Sequence, residues 1–157
     1  MTIGILSDTH DNIPKIEKAV KIFNKKKVGF VLHAGDFGAP FTIPKLKALS
    51  CDWQGVFGNN DGEREGLAGI SQGKIQEGPL RITLDNKKIT LTHDIKKINP
   101  ETEAADLIIS GHTHKSELIK QGNKLIINPG ECGGWLTGQS TIALVDLDSL
   151  SGKILKI

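Results

Sequence analysis

Residues 2–12 read Thr2-Ile3-Gly4-Ile5-Leu6-Ser7-Asp8-Thr9-His10-Asp11-Asn12. The first part is a short apolar run with β-branched residues, fit for a buried strand over residues 2–7. The second part is a loop of carboxylate, imidazole and amide groups. Asn12 can cap a following helix, Pro14 suits its first turn, and Ile13, Ile16, Ala19, Val20 and Phe23 recur at helical spacing. Lys25, Lys26 and Lys27 close that helix where positive charge complements its dipole. Strand, polar loop and helix in that order open an α/β fold.

The unit recurs downstream. Phe30-Val31-Leu32 is the next strand and runs into His33-Ala34-Gly35-Asp36. A second helix is expected from about Pro40 to Leu49, then a strand from Asp52 to Val56 that ends at Gly58-Asn59-Asn60-Asp61. The second half carries strand patterns over Leu80–Leu84, Lys88–Thr92, Asp106–Ser110, Glu117–Lys120, Lys124–Ile127, Thr141–Asp146 and Lys153–Ile157. Turn residues at Asp85-Asn86-Lys87, Gln121-Gly122-Asn123 and Ser149-Leu150-Ser151-Gly152 join neighbouring strands as hairpins would. No repeat, low-complexity tract or boundary interrupts the pattern. The expectation is one domain over 1–157, a β-α-β-α half joined to a mostly β half with mixed sheets.

Composition narrows the function classes. At 157 residues the chain can bury a core without disulfides or a structural metal, so folding stability does not explain the polar clusters. Twenty basic against eighteen acidic residues give a net charge of +2, too balanced for strong nucleic-acid binding. Only Arg64 and Arg81 are arginines, so bidentate phosphate clamps are scarce. Cys51 and Cys132 lie outside any metal or redox spacing and read as free thiols in a reducing compartment. The opening residues lack the basic and apolar regions of a secretion signal, and no apolar run approaches the ~20 residues of a membrane span. These features point to the cytoplasm.

The placement of polar residues carries the functional reading. Asp8 and His10, Asp36, Asn59, His93, and then His112 and His114 each stand just after an apolar strand. In open α/β sheets ligands bind at that edge, because successive strands deliver their loops to one crevice. Taken singly, Asp8-Thr9-His10 or Gly58-Asn59-Asn60-Asp61-Gly62 reads as a hydrogen-bonded turn, and His112 and His114 as loop residues. Their conjunction at five strand ends favours a metal site. Oxygen donors mixed with imidazoles suit first-row ions, whereas an all-oxygen set would point to magnesium or calcium. Two ions about 4 Å apart need a bridging ligand, and Asp36 in its tight Gly-Asp turn is the natural one. A water shared by the ions would become the nucleophile while the ions neutralise a phosphoryl oxygen, so the implied reaction is hydrolysis of a phosphoester.

Asp-x-His, Gly-Asp, Gly-Asn-x-Asp, a lone His after a strand, and Gly-His-x-His, in that order, resemble the calcineurin-like metallophosphoesterase family. The short chain, the early Ser7-Asp8-Thr9-His10 and the late Asn128-Pro129-Gly130 are similar to its small phosphodiesterase branch of bacteria and archaea. The resemblance covers residues 3 to about 130. It implies a four-layer α/β/β/α sandwich of two mixed β-sheets with the metals at one edge. It assigns Asp8, His10, Asp36 and His114 to one ion, and Asp36, Asn59, His93 and His112 to the other. Ser7 and Asp61 would orient these ligands by hydrogen bonds, and His33 would support a ligand or be structural, since the family pattern gives it no metal. Two divalent ions follow as cofactors, Mn²⁺ the first choice, with Ni²⁺, Fe²⁺, Co²⁺ and Zn²⁺ also suited.

Departures from the family pattern shape the activity expected. Where many members carry a His inside Gly-Asn-x-Asp, this chain has Asn60, and an amide cannot act as a general acid. Asn59 and Asn60 are then the residues expected beside the substrate, with Asp36 and Asn60 in the catalytic set. The expectation is phosphodiesterase activity on a small phosphodiester, with weak or no monoesterase activity. Glu131-Cys132-Gly133-Gly134-Trp135 departs from the family where substrate is met; Trp135 could stack on a base, although an aromatic in a Gly-rich loop more often covers a core edge. The alternative function is an inactive relative serving as a protein-binding scaffold, which would lack ligands, whereas all seven positions are filled here. A polymer-directed nuclease would want a basic groove or an added domain. Homo-oligomer formation stays open on these residues.

Overall fold

Strand β1 (Thr2–Leu6) lies at the centre of the architecture that the computed structural model describes for residues 1–157. It is followed by α1 (Ile13–Lys25), β2 (Phe30–His33), α2 (Ile43–Leu46), β3 (Asp52–Val56), α3 (Arg64–Ile70) and β4 (Ile75–Gln76). Hairpin β5 (Leu80–Leu84) and β6 (Lys87–Leu91), β7 (Leu107–Ile109), hairpin β8 (Glu117–Gln121) and β9 (Lys124–Asn128), and hairpin β10 (Thr141–Asp146) and β11 (Ser151–Lys156) complete the chain. One sheet runs β11-β10-β1-β2-β3-β4 and the other β5-β6-β7-β9-β8, both with parallel and antiparallel pairs.

Alternation along the strands builds two cores. Ile3 and Ile5 of β1 face the second sheet and pack with Leu91, Leu107, Ile109 and Ile127. Leu6 faces the other way, toward Ile16, Val20 and Phe23 of α1. A Cβ on Gly4 would sit 2.6 Å from the Phe23 ring, so this glycine lets α1 pack closely on the sheet. Each buried aliphatic or aromatic side chain contributes about 1.5–3 kcal/mol relative to exposure.

The helices all lie against the first sheet. On the outer face of the second, Ile108 is fully buried between the inward Leu107 and Ile109, so that face is covered as well. Glu103, which binds Arg81 and Thr90, lies over that face. The fourth layer of the sandwich is therefore thin.

Two local expectations are corrected. The helix expected from Pro40 to Leu49 is a 3₁₀ turn, Pro40–Thr42, followed by the four-residue α2. Pro44 has no N–H to donate to Pro40, and the bonds of Lys47, Ala48 and Leu49 reach only three residues back, so no continuous α-helix forms. Helix α3 and strand β4 were not legible, because Gly66 and Gly69 break the helical pattern. Gly66 approaches the Pro40 ring so closely that a Cβ would lie 2.9 Å from it.

Candidate metal centre

The carboxyl ends of β1, β2 and β3 in one sheet and of β6, β7 and β9 in the other open onto a common edge, where their loops interlock. Asp8 N–H donates to Gly35 O, Gly111 N–H to His93 O, and Gly133 N–H to Asp8 O. Five of the seven expected ligands, Asp8, His10, Asp36, His112 and His114, hold positive φ, between 39° and 67°. Such backbone is strained for residues with a Cβ and persists where the surroundings impose it, typically at functional sites.

Asp8, His10, Asp36 and His114 offer ligand atoms that all lie within 4.8 Å of one another. Asp8 and Asp36 are fully buried, and burial pushes the Asp8 carboxyl up from its ordinary range. Asp8 Oδ1 and His10 Nε2 are buried without any hydrogen-bond partner. Leaving such atoms bare costs roughly 1–3 kcal/mol each, and a divalent cation among them would satisfy both. His10 Nε2 lies 3.6 Å from Asp36 Oδ2, and His114 Nε2 lies 3.4 Å from Asp8 Oδ1.

The other half of the site is built around Asn59. His93 Nδ1 donates to Ala34 O at 2.7 Å, which leaves Nε2 of the neutral ring as an acceptor. That nitrogen faces Asn59 Oδ1 at 2.8 Å and Asp36 Oδ2 at 3.5 Å. His112 Nδ1 lies 2.8 Å from the same Asn59 oxygen. A cation between His93 Nε2 and Asn59 Oδ1 would satisfy both. Asp36 Oδ2 thus faces His10 on one side and His93 on the other, the position a bridging ligand would occupy.

Small residues let the ligands in. A Cβ on Gly58 would sit 2.0 Å from Asp36 Oδ1, and one on Gly111 would sit 1.9 Å from Ser7 Oγ and 2.8 Å from Asp8 Oδ2. Asp61 behaves as expected of an orienting residue: its carboxylate accepts from the backbone N–H groups of Asp36, Gly38 and Gly58. Ser7 sits against the ligand it was expected to orient: its buried hydroxyl faces Gly111 beside Asp8 Oδ2 and lowers the Asp8 pKa against the effect of burial.

His33 is fully buried and stacked on Phe37, with ring centroids 3.6 Å apart. Gly35 N–H donates to its Nδ1, so Nε2 carries the proton and donates to Thr9 Oγ1. Burial pushes its pKa well below the ordinary value, and His93 and His10 add to the effect. It braces the β1 and β2 loops and lies outside the ligand cluster. Asn60, expected beside the substrate, turns its amide back onto Asp36 Oδ2 at 2.8 Å.

Glu131 escaped the sequence reading. Fully buried by the geometry of its neighbours, it lies 3.5 Å from His114 Nδ1. His114 Nδ1 makes no hydrogen bond, so the carboxylate acts on the ring through its charge and proximity. Burial alone would raise the Glu131 pKa. The N–H groups of Thr137, Leu136 and Trp135 and the Thr137 hydroxyl outweigh burial and hold it below the ordinary range. The only sequence signal was an acidic residue just after Asn128-Pro129-Gly130.

Known proteins share this sequence pattern and fold. A family model described as the calcineurin-like phosphoesterase superfamily domain matches residues 1–150. The phosphodiesterase MJ0936 of Methanocaldococcus jannaschii is 38% identical over 156 residues, covering 94% of each chain. A solved structure of an archaeal phosphodiesterase superposes with a TM-score of 0.93 at 35% identity over 100% of both chains. Vps29 of Entamoeba histolytica, solved with zinc, shares the fold with a TM-score of 0.70 at 21% identity, over 100% of this chain and 98% of its own. On its sequence, fold and site, the chain belongs to the calcineurin-like phosphoesterase superfamily.

Proposed function

We propose that the chain is a phosphodiesterase dependent on two divalent metal ions, acting on a small phosphodiester, with weak or no monoesterase activity. The observation that carries this reading is the Asp36 carboxylate, whose Oδ2 lies 3.6 Å from His10 Nε2 and 3.5 Å from His93 Nε2. Asp8, His10, Asp36 and His114 would hold one ion, and Asp36, Asn59, His93 and His112 the other. Two bound ions would neutralise charge on the phosphoryl oxygens and lower the pKa of a water. Manganese is our first choice, because mixed oxygen and imidazole donors without thiolate suit it and its first-row neighbours.

The chain's own groups prepare that chemistry. Asp61 fixes the Asp36 backbone, Ala34 O fixes the His93 ring, and Glu131 faces the His114 ring. Asn60 orients the Asp36 carboxylate and supplies no acid for a leaving group. General acid catalysis is typically worth ~10²–10⁴-fold, so its loss weighs most on monoesters with poor leaving groups. Similarity to a named phosphodiesterase at 38% identity supports the diester assignment. No helix is long and apolar enough to cross a membrane. The unpaired Cys51 and Cys132 support a cytoplasmic setting. The test is metal-supplemented hydrolysis of bis(4-nitrophenyl) phosphate against 4-nitrophenyl phosphate; preferential monoester turnover would refute the reading.

A further inference from the structure

The sixth loop at the metal edge, between β9 and β10, carries two large apolar side chains in the open. Trp135 is 65% exposed and Leu136 78% exposed. Floppiness does not explain this exposure, because the loop is tied down on both sides. Glu131 collects the N–H groups of Trp135, Leu136 and Thr137, while Cys132 and Gly133 bond to the backbone of Ser7 and Asp8. Asn12 Nδ2 donates to Gly133 O at 2.7 Å. The indole Nε1–H is satisfied inward, donating to His10 O at 3.0 Å. The polar handle of the ring is thus spent on the loop of a candidate ligand, and much of its apolar surface is left to solvent next to the site.

The other flank of the same loop is polar. Thr137 and Gln139 line a pocket of about 260 Å³ with His114, Lys115, Ser116 and Thr141, and no apolar side chain enters it. A fixed aromatic ring on one flank and hydroxyl, amide and ammonium groups on the other suit an ester group that combines a flat ring with hydroxyls.

We infer that Trp135 is a specificity-determining residue, a platform on which an aromatic group of the phosphodiester, such as a nucleobase, stacks beside the metal centre. The inference rests on the phosphodiesterase reading and names the substrate class of that site. Aromatic–base stacking is worth about 1–3 kcal/mol per base, or roughly 5- to 150-fold in specificity. Leu136 would extend the apolar rim.

The test compares two diesters with the same leaving group, thymidine 5′-(4-nitrophenyl) phosphate and methyl 4-nitrophenyl phosphate, in the Mn²⁺-loaded enzyme. The ratio of their kcat/KM values should favour the thymidine ester, fall about 10- to 100-fold in Trp135→Ala, and be largely kept in Trp135→Phe, which retains a ring without the N–H. A ratio unmoved by Trp135→Ala overturns the inference. So does an equal loss on both esters, which would mean that Trp135 only steadies the His10 loop. If the wild-type enzyme hydrolyses neither ester, the phosphodiesterase reading has failed, and stacking is then read by fluorescence. Trp53 is buried, so thymidine 5′-monophosphate should saturably quench the wild-type emission and leave Trp135→Phe unaffected. Absence of quenching overturns the inference.

Discussion

Asn60 holds Asp36 twice: its side-chain amide donates to Asp36 Oδ2 and its backbone N–H donates to Oδ1, each at 2.8 Å. The Asp36 carboxylate, which faces both His10 and His93, is thus clamped by Asn60. Asn60→Ala should leave the backbone bond and remove the other. The expected loss in diester kcat/KM is about 10- to 100-fold, the usual effect of removing a partner of a metal ligand. Unchanged steady-state kinetics would show that the clamp is idle.

Asn60→His places an imidazole at the same position and restores a group able to protonate a leaving oxygen. Monoester turnover should rise relative to diester turnover, most clearly for esters with poor leaving groups. A constant ratio across a series of leaving groups would count against the role assigned to this position.

Asp36→Asn removes the shared charge while preserving shape. Diester hydrolysis should drop by more than about 100-fold, beyond the effect of outer partners, while far-ultraviolet circular dichroism stays that of the native fold. Retained activity would sink the two-ion assignment.

The clustering of these donors was legible because they follow strands whose hydrophobicity is plain. Asp8, Asp36, Asn59, His93 and His112 each follow an apolar run, and parallel strand order brings their loops together. Glu131 was not legible, since its partners at 135–137 are backbone N–H groups whose return to it depends on the loop's path. In the fold, β1, α1 and the hairpins announced themselves by periodicity. Helix α3 did not, because Gly66 packs against Pro40, a reason that exists only in three dimensions.

His33 predicts how stability depends on pH. Its pKa is depressed in the folded state, so the unfolded chain binds the extra proton first as pH falls. The stability associated with the neutral ring is present above about pH 6.5, the unfolded value. It is lost as pH falls from there toward the lower folded value, by up to about 1.4 kcal/mol per pH unit. Urea unfolding of metal-free protein should show this slope between about pH 6.5 and 5.5, and His33→Gln should flatten it. Equal slopes in both proteins would contradict the burial account.

Glu131→Ala leaves Trp135, Leu136 and Thr137 without their common acceptor. Limited proteolysis should then cut the segment 133–139 faster than in the wild type, and the melting temperature should fall. Identical cleavage kinetics would show that the carboxylate does not hold the loop.

Elemental analysis run alongside diester hydrolysis during Mn²⁺ titration of metal-free protein shows whether two ions share Asp36. Two ions should bind per chain at saturation, with full turnover reached only on filling the second site. Full turnover with one ion per chain, or saturation at a single ion, would contradict it.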